Sequence, residues 1–97
     1  MNSQQIAFAL GLAQKAGRVA SGDFAVRGAL KSGRVALLVI ATDTAENTKK
    51  ELRYLAEQAQ VATMEALTKV EMGYAIGKAQ RTAVALTDEN FARMLKK

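Results

Sequence analysis

Seven consecutive apolar residues, Val35-Ala36-Leu37-Leu38-Val39-Ile40-Ala41, constrain the fold of this chain more than any other feature. The run is far too short to span a bilayer. It has no polar interruption of the kind a surface helix would show, and it carries β-branched side chains. It therefore reads as a central strand buried on both faces, and such a strand needs a layer of structure over each side of its sheet.

The rest of the chain supplies those layers. Asn2 or Ser3 caps a first helix reaching about Ala16, with Ile6, Leu10 and Ala13 on one face. Arg18–Ser21 is a brief strand, and a second helix runs from near Gly22 to Ser32-Gly33. Beyond the central strand, Thr42-Asp43-Thr44 offers caps for a third helix over Ala45–Ala59, with Leu52, Leu55 and Ala56 facing inward. Val61–Met64 is a short strand, Thr68–Ile76 a fourth helix closed by Gly77, and Thr82–Leu86 a strand. Thr87 then caps a last helix, Asp88–Leu95, whose apolar stripe is Phe91, Met94 and Leu95. Helices and strands alternate throughout, which predicts an α/β fold: a three-layer α/β/α sandwich around a small sheet. The 97 residues suit a single domain over 1–97, and the strand order does not follow from the pattern.

Composition narrows the chemistry. There is no cysteine and no histidine, which removes disulfides, thiolates, imidazole ligands and the usual neutral-pH base. No signal-peptide pattern is present, so the expected location is cytoplasmic, with no membrane partner. Residues 1–40 carry Lys15, Arg18, Arg27, Lys31 and Arg34 against Asp23 alone, while the remainder is close to balanced. Such asymmetry suits contact with phosphates, and it also suits an ordinary basic surface.

Catalytic patterns are missing. Gly73-Tyr74-Ala75-Ile76-Gly77-Lys78 is one residue short of a phosphate-loop spacing, and Ala79 stands where a magnesium-binding hydroxyl is required. Asp88-Glu89, Asp43 and Glu46 fall in first helical turns, where they complement the helix dipole. Lys49-Lys50-Glu51 with Arg53 reads as a solvated helix face. No metal, no cofactor and no enzyme activity are expected.

The second helix is the informative segment. At about 100° per residue, Val26, Ala29, Leu30 and Gly33 face inward, and Phe24, Arg27, Gly28 and Lys31 face outward. Arg27 and Lys31 lie one turn apart. Gly22 permits close backbone approach at a helix start, a place that attracts anions. Asp23 is either a dipole partner or an acceptor for base amino groups. Phe24 either covers a neighbouring loop or stacks on a base.

Taken in register, Ser21-Gly22, Ala29-Leu30-Lys31-Ser32-Gly33, the strand reaching Thr42-Asp43, Asn47-Thr48-Lys49-Lys50 and Met72-Gly73-x-x-Ile76-Gly77 resemble the kink-turn-binding ribosomal proteins, the "L-seven-Ae" family. Residues 10–22 are similar to its small bacterial YlxQ-like members. The resemblance implies a sandwich with a four-stranded mixed sheet. It implies binding of kink-turn RNA, a sharply bent duplex with tandem sheared G·A pairs, in a ribosome-associated or RNA-folding accessory role, with ribosomal RNA among the candidate ligands and no DNA. The expected RNA-binding residues are Gly22, Asp23, Phe24, Arg27, Gly28, Lys31, Thr48, Lys49 and Arg81; of these the resemblance matches Gly22, Thr48, Lys49 and Arg81 to family positions, while Arg27 is adjacent to a family lysine and Asp23 and Lys31 come from the helix itself. Phe24, Ala25 and Gly28 stand where better-known members have Asn, Glu and Lys. The alternative is a protein-interaction module of the same fold with little RNA affinity.

Overall fold

The computed structural model describes residues 1–96. Its elements are α1 (Ser3–Lys15), β1 (Val19–Ser21), α2 (Asp23–Lys31), β2 (Leu37–Ile40), α3 (Glu46–Gln58), β3 (Ala62–Glu65), α4 (Lys69–Ala75), β4 (Ala83–Leu86) and α5 (Glu89–Lys96). The strands form one sheet in the order β1-β4-β2-β3. β2 and β3 are parallel, and β4 is antiparallel to both β1 and β2. The sheet is therefore mixed. The apolar run that contains β2 lies inside it, with every β2 residue buried.

Alternation along the two inner strands builds the layers. Leu37, Val39, Val84 and Leu86 meet Ile6, Leu10 and Ala13 of α1, Met72 of α4 and Leu95 of α5. Leu38, Ile40, Ala83 and Ala85 meet Val26, Ala29 and Leu30 of α2 together with Leu52 and Ala56 of α3. The result is the three-layer α/β/α sandwich that the alternating pattern predicts. No helix among the described residues is long and apolar enough to cross a membrane.

Several local expectations are corrected. Thr42, Asp43 and Thr44 do not cap α3, whose N-cap is Ala45 with no side-chain hydrogen bond. Their side chains reach across to neighbouring loops instead. In α5 it is Asp88, not Thr87, whose carboxylate accepts from the Asn90 N–H at 2.7 Å. Met94 is exposed and Phe91 half-buried, while Ala92 and Leu95 fill the core. The physical reason is position: α5 packs beside α1 at the margin of its layer, so it is covered on one side only. Gly33 is exposed and lies past the end of α2, outside the inward stripe.

The Gly73–Lys78 segment has a structural purpose. The chain after α4 folds back so tightly that a Cβ at Gly73 would overlap the backbone of Ala79 and Gln80. Gly73→Ala is therefore expected to destabilise the protein by about 1–3 kcal/mol, because backbone rather than a flexible side chain must give way. A denaturant titration checks this; an unchanged midpoint would show that the turn relaxes without cost.

Candidate nucleic-acid interface

Sheet register brings several loops to one end of the molecule. Ser21 pairs with Val84, and Ile40 pairs with both Ala83 and Glu65. The N-termini of α2, α3 and α4 and the segment before β4 consequently share that end. Side chains then stitch it together. The Thr44 hydroxyl donates to the Thr82 carbonyl at 3.0 Å, and the Thr42 hydroxyl to the Leu67 carbonyl at 3.1 Å. The Lys69 N–H donates to Asp43 Oδ1 at 2.8 Å, and the Arg81 N–H to the Lys69 carbonyl at 3.0 Å. The three segments 42–44, 67–69 and 81–82 are thus tied into one rim.

Gly22 opens α2 from this rim with φ at 89°, a left-handed value that suits glycine, and with open space where a Cβ would stand. No side chain caps it, so the first-turn N–H groups keep their capacity to donate to an anion. Asp23 sits in that turn, but its charge is engaged. Arg27 Nε donates to Asp23 Oδ1 and Oδ2 at 2.9 and 3.0 Å. A second guanidinium nitrogen of Arg27 reaches Glu51 Oε1 of α3 at 3.3 Å. The hydrogen bond with Asp23 is the main cause that raises the guanidinium pKa above its ordinary value, and Glu51 adds to it against the desolvation that lowers it. Arg27 is thereby held in a fixed direction between the two helices.

Phe24 and Lys31 are free by comparison. Phe24 is 93% exposed, so it does not cover a neighbouring loop. Lys31 is exposed and has no carboxylate in ion-pair reach among the described residues. Gly28 lies between them on the outward face, again with open space around it. Phe24, Arg27, Gly28 and Lys31 thus form the outward stripe that helical geometry predicts, with Gly22 and Asp23 at its head.

The remaining candidates sit differently. Thr48 is half-buried in the first turn of α3. Arg81 is half-buried; its guanidinium donates to the Ala79 and Gln80 carbonyls at 3.2 and 3.1 Å and to Ser21 Oγ at 3.4 Å. It braces the loop before β4 against the end of β1. Lys49 is the clear departure from both the solvated face and the RNA-facing position expected of it. Its side chain is buried, and its ammonium donates to the Thr42 carbonyl at 2.8 Å and to Glu65 Oε1 at 3.0 Å. Glu65 is shared with Arg53, and Glu46 lies 3.6 Å from the same ammonium. The cause is geometric: Lys49 falls on the β3 side of α3, above a strand end that supplies a carboxylate. Lys49→Met is expected to cost about 1–3 kcal/mol, because it leaves the Thr42 carbonyl and one Glu65 oxygen without their charged donor. A thermal melt with the wild-type midpoint would show that the ammonium contributes nothing.

Sequence reasoning missed Thr42, Asp43 and Thr44 as rim ties, since their partners lie 25 to 38 positions away. It also passed over Tyr54, which is 62% exposed on the α2-facing flank of α3. A helical wheel of α3 would have found it, as it found Phe24 on α2.

Known proteins share both the sequence and the fold. The family described as ribosomal protein L7Ae/L30e/S12e/Gadd45 matches residues 4–96. RNA-binding protein YlxQ of Bacillus subtilis (strain 168) is 33% identical over 86 residues, covering 89% of this chain and 86% of the relative. RNA-binding protein YlxQ of Enterococcus faecium is 27% identical over 95 residues, covering 98% of this chain and 91% of the relative. A structure of a protein of unknown function from Bacillus halodurans C superposes with a TM-score of 0.89 at 28% identity, covering 98% of this chain and 95% of the other.

Proposed function

The chain belongs to the ribosomal protein L7Ae/L30e/S12e/Gadd45 family, and from that premise we propose that it is a non-enzymatic, cytoplasmic binder of structured RNA. The ligand is a kink-turn or a related bent duplex, including ribosomal RNA, and the role is ribosome-associated or RNA-folding accessory. One observation carries the reading: an exposed aromatic ring, a fixed guanidinium and a lysine with no ion-pair partner among the described residues line the outward face of α2, whose N-terminus has no side-chain cap and opens from the rim. Cations and helix-start N–H groups hold phosphates, and an aromatic face stacks on an unpaired base. A small rigid wedge suits RNA read by shape and splayed bases. Two relatives named as RNA-binding proteins support the same direction. Gly22, Asp23, Phe24, Arg27, Gly28 and Lys31 form the contact stripe, with Thr48 and Arg81 at its border and Lys49 acting from inside on the Thr42 loop.

The second reading is a protein-interaction module, favoured by Phe24, Ala25 and Gly28 standing where the Asn, Glu and Lys of better-known members are found. Ultraviolet crosslinking of RNA that copurifies with the protein separates the two. Crosslinked peptides that include 22–31, 44–49 and 77–82, on RNAs sharing a bent internal loop, are expected. An absence of crosslinked RNA would favour the protein-interaction module.

A further inference from the structure

Helices α2 and α3 leave the rim side by side, and a surface groove follows the seam between them, crossed near the rim by the Arg27–Glu51 ion pair. Arg27, Lys50, Glu51 and Tyr54 line its upper part, nearer the rim. Lys31, Leu55 and Gln58 line its lower part, so the two stretches are continuous through Leu55. We propose that this channel takes a single-stranded segment of the bound RNA, running off the α2 N-terminus and down between the two helices. The proposal rests on the RNA-binding reading and goes beyond it in assigning a second surface and a second kind of RNA structure.

Three observations converge on that occupant. Firstly, the channel begins at the proposed duplex-binding stripe, because Arg27 and Lys31 belong to both. A strand leaving the bend would enter it without crossing any other surface. Secondly, its charge fits a phosphate backbone. Lys31 and Lys50 have no carboxylate in ion-pair reach among the described residues, and the acid in the channel, Glu51, is satisfied by Arg27 at 3.3 Å. Thirdly, Tyr54 presents an exposed ring between the cations. Cations that follow a backbone, interleaved with an aromatic platform, are the arrangement that holds single strands without regard to sequence. The other exposed aromatic surface, Phe8 and Tyr74 on the α1/α4 layer, lies across the sheet from this channel and takes no part.

The test compares a bent duplex with the same duplex carrying a short single-stranded tail, titrated against the full chain. The tail is expected to tighten binding to the wild type by at least about fivefold, the low end of one stacked base. Tyr54→Ala and Lys50→Ala should each remove most of that gain while leaving affinity for the untailed duplex unchanged. Tyr54→Phe should retain it, and Tyr74→Ala should behave as wild type. A tail that adds nothing, or adds equally to wild type and Tyr54→Ala, overturns the proposal while the duplex-binding reading stands. Failure of the wild type to bind either RNA overturns both.

Discussion

Replacing Arg27 and Lys31 together by alanine is expected to weaken binding of a bent RNA duplex by more than about tenfold at near-physiological salt. The two cations are not equivalent. Lys31 is exposed and flexible and contributes as a point charge. Arg27 is pre-oriented by Asp23 and Glu51, so it loses little conformational freedom on contacting a phosphate or a base edge. Its removal does further damage, since it releases two carboxylates beside the contact surface. Arg27→Ala alone should therefore cost more than Lys31→Ala. The double variant should also lower the salt dependence of binding by about one for each phosphate that is no longer neutralised. Lys31 is exposed and the carboxylates paired with Arg27 are exposed too, so the melting temperature should move little. Unchanged affinity in a titration would remove this stripe from the interface.

Phe24→Ala separates binding from folding more sharply. The ring is 93% exposed and packs against nothing in the core, so its loss should leave stability within about 0.5 kcal/mol of wild type. If the ring stacks on a base, RNA affinity should fall by about 1–3 kcal/mol, several-fold to more than a hundredfold. Phe24→Tyr should bind nearly as well as wild type, since it keeps the stacking face. Equal affinity for Phe24→Ala and wild type would assign the ring to some other contact.

The architecture was legible because one local pattern forced it. An uninterrupted apolar strand demands two covering layers, and the chain offers helices with single apolar stripes at the right intervals. The apolar stripes on α1, α2 and α3 were legible apart from Gly33, since each helix packs on a sheet face that buries one side of it. The stripe on α5 was not, because its partial cover depends on where α1 lies. The cap at Asn2 was legible, because its partner Gln5 lies three residues away. Caps were misread at Thr42-Asp43-Thr44, where three good capping side chains serve distant backbone instead.

The candidate interface divides in the same way. The outward stripe of α2 follows from helical spacing alone. The pairing of Arg27 with Glu51 and the burial of Lys49 depend on which element lies beside each helix, which the sequence does not encode locally. Lys49 is the instructive case. A lysine in a charged helical run reads as solvated, yet here the end of β3 supplies a carboxylate and the turn after β2 a carbonyl. The Lys49 ammonium is thereby held inside the protein rather than on the solvated face of α3.

Whether the α2 end of the sandwich binds RNA by its bent shape is tested most directly by titrating the wild-type protein with a kink-turn duplex and with a straight duplex of the same composition, at several salt concentrations. Tighter binding of the bent duplex, maintained as salt weakens both, is the predicted result. Equal affinity for the two, or no binding to either, would contradict it.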